Sequence, residues 1–283
     1  MLKYKEIFLG NACNNRCLHC SYRGKDPSPP DLSAILDVLS RKEEDSVLFC
    51  GGEPTVRNDL FQIVRKAQEI GYRRIKLFTN GRALSDMRFL YQLFQAGCFL
   101  FEIKLWASNP SLHDYLTQSK NSFLETVKGL ENLAEIPDEK FVCVRIPVCS
   151  ENLADIENTV VTALNFGVHR IILSVQDYRP PFQTVLPHIR NAINISIFNR
   201  IWILTEGLPF CVMQGLEKHI AEIYQGWDTL YEKKFNQHKY CTDCVYHDIC
   251  PGVESSYAGN FSGQDFIPVS ADTRAEDIKK LYE

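Results

Sequence analysis

The 283-residue chain is 45% hydrophobic and 23% charged, ordinary for a globular enzyme with one large core and a small appendage. Its formal net charge of -4 offers no general attraction to nucleic acid, and the one basic cluster, Arg73, Arg74 and Lys76, reads as the solvated edge of a strand. No apolar stretch approaches the roughly 20 residues of a membrane span, and the opening residues lack the long apolar region of a signal peptide. A cytoplasmic protein that binds neither nucleic acid nor membrane is expected.

In chain order, KEIFLG (5–10) reads as a first strand and runs into CNNRCLHC (13–20). LSAILDVLSRK has helical period and leads to the strand SVLFCG (46–51), followed by GGEP. DLFQIVRKAQEIG, the strand RIKLFT (74–79), SDMRFLYQLFQAG and the strand FLFEIKLW (99–106) continue the alternation. SFLETVKGLENLA, FVCVRIPV (141–148), LADIENTVVTALNFG and RIILSVQ (170–176) complete six βα units, several helices opening on Ser or Asp and three ending on Gly. Parallel strands with crossover helices open into a doubly wound sheet or curl toward a barrel, and periodicity alone does not choose. Beyond a proline-rich turn and one more helical run, RIWILTEG reads as a further strand. The rest is rich in Cys, Tyr, Gly and His and short of apolar period, as expected of a small region stabilised by metal. A boundary near residue 198 divides 1–198 from 199–283.

Eleven cysteines in a cytosolic chain point to metal rather than disulfides, and seven of them fall into two groups. Cys50, Cys98, Cys143 and Cys149 stand apart, in or beside apolar runs where a thiol behaves as a small buried hydrophobe. In the first group, Cys13, Cys17 and Cys20 have the spacing C-x3-C-x2-C. Three thiolates ligate three irons of a cubane cluster and leave the fourth open, whereas an electron-carrying cluster normally has four protein cysteines. A zinc site completed by His19, or plain surface thiols, remain open on spacing alone.

The second strand runs into FCGGEPT (49–55), where two glycines let the backbone approach a ligand and Glu53 brings a carboxylate to the C-terminal mouth of the sheet. With CNNRCLHC leaving the first strand and GGEP leaving the second, the sequence resembles the radical S-adenosylmethionine (radical SAM) superfamily over about residues 3 to 180. That resemblance implies an α/β fold, a partial (βα)6 TIM-like barrel. Its three-cysteine [4Fe-4S] cluster would bind S-adenosylmethionine and, supplied with electrons by flavodoxin or ferredoxin, cleave it to a 5'-deoxyadenosyl radical that takes hydrogen from a substrate. Carried over by position, Cys13, Cys17 and Cys20 are the cluster ligands, and His19 sits where the family often packs an aromatic residue near the adenine. Gly51, Gly52 and Glu53 would contact the methionine amine. Asn80 reaches the cofactor or caps the following turn. Lys104 and Arg145 are candidates for the methionine carboxylate or ribose, because a charge within a barrel strand is either paired or faces the mouth. Glu102, on the same strand face as Lys104, is its alternative structural partner.

The second group, Cys211, Cys241, Cys244 and Cys250, has the pattern C-x29-C-x2-C-x5-C. Four thiolates fully ligate a second [4Fe-4S] cluster or a structural zinc, and spacing alone favours zinc. The ending followed by Pro-Gly resembles the auxiliary-cluster extensions called SPASM and, when shortened, twitch domains. Glu254 stands where the full run has another cysteine, so there is room for one auxiliary cluster. Full ligation suits an electron acceptor and thus a net oxidation.

Strand ends should line the mouth with Trp106, Ser108, Cys149, Ser150, Asp177, Tyr178 and Arg179. His113 and Asp114 in SLHDYLTQ read as loop-stabilising rather than acid–base groups. The expected substrate is a peptide or protein side chain, with a small sugar or cofactor precursor as the alternative. No leader-binding domain is expected in the few residues before Cys13, so Tyr224, Trp227, Tyr231, Tyr240, Tyr246 and Tyr257 are expected to contact a peptide or pack around the cluster. A reading of another class, a non-catalytic iron–sulfur carrier or sensor, has no use for an open iron.

Overall fold

The computed structural model describes residues 4–26, 28–137, 139–175, 180–225, 235–236, 239–250, 252–254 and 267–280. Asp177, Tyr178, Arg179, Trp227, Tyr231 and Tyr257 lie outside the described residues, as does the side chain of Tyr240.

Seven strands form one parallel sheet in sequence order: β1 (Lys5–Phe8), β2 (Ser46–Cys50), β3 (Arg74–Thr79), β4 (Leu100–Lys104), β5 (Phe141–Val148), β6 (Arg170–Val175) and β7 (Trp202–Glu206). Among the described residues no pairing joins β7 back to β1, so the sheet is an open, barrel-like α/β layer. Helices α1 (Leu32–Ser40), α2 (Leu60–Ile70), α3 (Met87–Gln95), α4 (Pro110–Thr117), α5 (Ser122–Glu135), α6 (Ile156–Leu164) and α7 (Phe182–Phe198) provide the crossovers. Their ends follow local chemistry. Asp86 caps α3 by accepting the Arg88 N–H at 2.8 Å, and Asn109 caps α4, whose first turn holds Pro110, through the Leu112 N–H at 3.0 Å. Gly71 closes α2 at φ 93° with its N–H on the α2 carbonyls.

The period-2 alternation of the strands divides the sheet into two faces. Ile7, Val47, Phe49, Ile75, Leu77, Phe101, Ile103, Val144, Ile146, Ile171, Leu173 and Ile203 are buried in the core that packs with the helices. The opposite parity places Glu6, Phe8, Cys50, Lys76, Phe78, Glu102, Lys104, Cys143, Arg145, Ser174, Leu204 and Glu206 on the other, lumenal face.

The sheet has one strand more than the six repeats of the pattern: β7 pairs with β6 from Arg170↔Trp202 to Ser174↔Glu206, beyond the boundary expected near 198. Its outer edge is also occupied. Ala221 N–H donates to the Thr205 carbonyl at 2.8 Å, and Ala221 packs on lumenal Cys143, Ile172 and Leu204. Lys76 is not a solvated edge residue. It faces the lumen, 2.9 Å from Glu102, on the same strand face as exposed Arg74 at the start of β3 but one residue pair deeper, opposite in parity to buried Ile75.

Candidate active site

The N-terminal cysteines, the GGEP turn and the buried charges gather at the C-terminal ends of the strands and on the lumenal face beneath them. The cysteine loop leaves β1 and is fastened from three directions. From β2, Gly52 N–H donates to the Gly10 carbonyl and Glu53 N–H to the Ala12 carbonyl, both at 2.8 Å. A Cβ on Gly51 would lie 2.5 Å from the Gly10 oxygen, and one on Gly52 2.4 Å from the Asn11 oxygen. The glycines are therefore required by the approach of the chain to its own cysteine loop. From α4, the carbonyls of Thr117 and Leu116 accept the N–H groups of Arg16 and Leu18, both at 2.9 Å. From β3, Asn80 Nδ2 donates to Asn14 Oδ1 at 2.7 Å, while Arg82 Nη1 donates to the Asn14 carbonyl at 2.6 Å and to Asn15 Oδ1 at 2.8 Å.

Glu53 is buried, and its carboxylate already accepts four hydrogen bonds: from Thr55 N–H, Thr55 Oγ1, Thr79 Oγ1 and Asn80 N–H, at 2.6 to 3.1 Å. It ties the β2 exit to the β3 exit. Asn80 both caps, its Oδ1 accepting Arg82 N–H at 3.0 Å, and reaches the cysteine loop. Asp114 accepts from Asn121 N–H, Ser122 Oγ and Phe123 N–H, so it caps α5. His113 is buried and held neutral, its pKa lowered to about 4 by burial, with Nδ1 on Ser122 Oγ. The HD pair is a structural element of the loop.

Cys13, Cys17 and Cys20 are free thiols and electrostatic neighbours, with Lys104 facing them from β4. Burial pushes Cys17 up to about 11, a cost that metal coordination removes by deprotonating the thiol outright. The Asn15 N–H donates to Cys13 Sγ at 3.3 Å. Cys211, Cys241, Cys244 and Cys250 also converge, with burial raising Cys211 to about 12 and Cys250 to about 11, and Gly252 N–H donating to Cys250 Sγ at 3.4 Å. Tetrahedral zinc at a Zn–S distance of about 2.3 Å brings its sulfurs to about 3.8 Å from one another. Among the described residues, neither set has three sulfurs mutually within 4.8 Å. Both sets offer thiols as their donors, a chemistry that an iron–sulfur cluster accepts. His19 is turned to Glu151, Nε2 to Oε2 3.1 Å, and its ring lies 6.2 Å from Trp106.

Lys104 Nζ lies 5.1 Å from the Phe78 ring and has no hydrogen bond or ion pair among the described residues. Arg145 is the opposite case. Buried, it donates through Nε to Glu102 Oε1 at 2.6 Å and with both terminal nitrogens to Glu206, so its guanidinium is committed within the protein rather than offered to a methionine carboxylate. Glu102 pairs with Lys76 and Arg145, not with Lys104, and the two cations hold it at about 2 despite burial. The belt Lys76–Glu102–Arg145–Glu206 crosses the lumen from β3 to β7. Glu222 joins it: Oε1 accepts Gly207 N–H at 2.8 Å, Oε2 is buried without a partner among the described residues, and burial next to Glu206 raises the carboxyl to about 8.

Sequence reasoning missed Arg82, Lys76, Glu206 and Glu222. The strand parity that linked Glu102 to Lys104 would have found Glu206 in WILTE, opposite Ser174. Of the mouth residues, Trp106 and Cys149 are buried, and Ser108 caps onto Asp155 at 2.6 and 2.7 Å. Cys149 is raised to about 12 and is inert as a nucleophile. Tyr246 packs on Phe210 and Tyr224 on Trp202.

The model of the Radical SAM superfamily matches residues 7–163, more than half of the chain. The chain belongs to the radical SAM superfamily. Radical SAM enzymes use a [4Fe-4S] cluster and S-adenosylmethionine, and the C-terminal cysteines are consistent with a second, auxiliary cluster. Among curated relatives, a "Probable GTP 3',8-cyclase" of Saccharolobus islandicus (strain Y.N.15.51 / Yellowstone #2) is 28% identical over 174 residues, 59% of this chain and 54% of that protein. One from Methanothermobacter marburgensis is 32% identical over 131 residues, 44% of this chain and 42% of its own length. The chain spans about half the length of these relatives. Streptococcus suis SuiB bound to S-adenosylmethionine shares the fold at TM-score 0.62 and 14% identity, over 74% of this chain and 52% of that one. Native anSMEcpe with bound AdoMet does so at 0.58 and 15%, over 71% and 62%. No helix among the described residues is long and apolar enough to cross a membrane.

Proposed function

We propose that this radical SAM enzyme acts on a polar small molecule held on the lumenal face, by rearrangement or oxidation. The observation that carries the reading is the lining. Among the described residues Lys104 is an unpaired cation, and the buried oxygens Glu6 Oε1 and Glu222 Oε2 have no partner, beside a belt whose other charges are paired. Buried polar groups left unsatisfied are costly, and a ligand with complementary donors and acceptors satisfies them. The curated relatives point the same way, since their printed name makes a nucleotide the substrate. This reverses the order favoured by the sequence, in which peptide modification came first.

Cys13, Cys17 and Cys20 would hold the cluster at the mouth, and Cys211, Cys241, Cys244 and Cys250 an auxiliary one in the region that follows β7. When bound, the first cluster and S-adenosylmethionine supply the 5'-deoxyadenosyl radical. The protein's own contribution is placement. Lys104 offers its ammonium to the carboxylate of S-adenosylmethionine or to an anionic substrate, and Gly51 and Gly52 bring backbone against the cysteine loop, braced by Glu53 and Asn80. Arg145 acts through Glu102 and Glu206, shaping the floor. The test has two stages. Anaerobically reconstituted protein with dithionite and S-adenosylmethionine should release 5'-deoxyadenosine. With perdeuterated nucleotides and sugars on one side and deuterated peptides on the other, label should enter 5'-deoxyadenosine from the small molecules. Label arriving only from peptides would sink the substrate reading while leaving the enzyme class intact.

A further inference from the structure

We propose that Arg82 is a positioning residue for the N-terminal cluster: it straps the Asn14–Asn15 turn between Cys13 and Cys17 and holds a positive charge against the polar atoms of that turn, raising the cluster's reduction potential. The proposal rests on the reading that Cys13, Cys17 and Cys20 hold that cluster.

The turn carrying these cysteines belongs to no helix or strand, so its shape depends on individual bonds. Arg82 supplies two of them from one terminal nitrogen, to the Asn14 carbonyl at 2.6 Å and to Asn15 Oδ1 at 2.8 Å. Its Nε donates to Glu125 Oε2 at 2.5 Å, which anchors the guanidinium to α5. Asn15 in turn donates its backbone N–H to Cys13 Sγ at 3.3 Å, so the clamp ends on a ligand atom. Asn80 reinforces it by donating to Asn14 Oδ1 while capping the Arg82 N–H. The Arg82 side chain is 14% exposed, against 39% for Glu125, so the cation is the better shielded of the pair.

Two separable effects follow. The planar guanidinium serves Glu125 and both asparagines at once, a geometry that an ammonium does not reproduce. Its charge acts at any orientation. A three-thiolate cluster is anionic and gains another negative charge on reduction, so a nearby cation favours the reduced form and a nearby carboxylate opposes it. Arg82 and Glu125 should therefore move the potential in opposite directions.

The experiment compares the reconstituted full-length wild type with Arg82→Gln, Arg82→Lys, Glu125→Gln and Cys17→Ala. Iron per chain and the midpoint potential of the S-adenosylmethionine-responsive paramagnetic signal are measured for each. In Arg82→Gln the reduced-to-oxidised ratio at fixed poise should fall three- to tenfold, tenfold being about 59 mV for a one-electron couple. Arg82→Lys should keep the potential within twofold by the same measure while losing iron occupancy, and Glu125→Gln should raise the potential. Loss of iron in Arg82→Gln with an unchanged potential in the remaining clusters overturns the proposal, because that is the signature of a merely structural strap. Arg82→Gln and Glu125→Gln shifting in the same direction overturns it too. Cys17→Ala separates the two readings. If it retains the responsive signal, the cluster assignment itself fails and the proposal with it; if it loses the signal while Arg82→Gln behaves as wild type, only the role of Arg82 fails.

Discussion

The two cysteine regions are held by different balances of polar bonds and apolar packing. The N-terminal loop is shaped by polar bonds to the exits of β2 and β3 and to α4, and Cys13 stays exposed. The C-terminal set is shaped by apolar packing: Cys211, Cys244 and Cys250 lie against the core, and fully buried Tyr246 stacks on Phe210 with ring centroids 4.8 Å apart. The N-terminal loop leaves Cys13 exposed, whereas Cys211, Cys244 and Cys250 are each half-buried against apolar side chains.

The largest expected effect is qualitative. Cys17→Ala should abolish 5'-deoxyadenosine release from S-adenosylmethionine, while Cys244→Ala should leave that cleavage within a few-fold of wild type and lose substrate turnover. Equal loss in both variants, assayed by chromatography, would break the contrast. Next comes the belt between the two regions. Arg145→Met strands buried Glu206 and half-strands Glu102, and chemical denaturation should show a loss of about 3–5 kcal/mol. In the apolar region, Tyr246→Ala should cost about 3–5 kcal/mol, whereas Tyr246→Phe, which loses only the bond to Asp272 at 2.6 Å, should cost about 1 kcal/mol. Neither should alter cleavage of S-adenosylmethionine per reconstituted N-terminal cluster.

The most graded effect belongs to Glu222. Its carboxyl is raised from 4.5 to about 8 in the folded protein, so between those values the native state binds more protons than the unfolded one. Stability therefore falls as pH rises through that window, by up to about 1.4 kcal/mol per pH unit. Glu222→Gln should flatten that slope between pH 4.5 and 8 relative to wild type, read from denaturation midpoints. An unchanged slope would show that Glu222 is ionised in the native state.

Much of this was legible in one dimension. Strands β3 and β5 coincide with the periodic runs at 74–79 and 141–148, and CNNRCLHC with GGEP placed the family. Those signals are local: alternation and the spacing of ligands along a loop do not depend on distant contacts. The sequence also showed that Arg145 and Glu102 were unusual for barrel strands. Which charges meet was a different matter. Lys76, Glu102, Arg145 and Glu206 come from four strands spread over 131 residues, and the stagger of the parallel ladder determines that Arg145 reaches Glu206 while Lys104 is left without an ion pair among the described residues. The same holds for Gly51 and Gly52, whose need for glycine was evident but whose close neighbour is the cysteine loop itself. Short-range pattern determined the alternation of strands and helices, and the motifs CNNRCLHC and GGEP determined the family. Tertiary structure alone decided the partners of each buried charge, because register and strand stagger set the distances on which electrostatics depend.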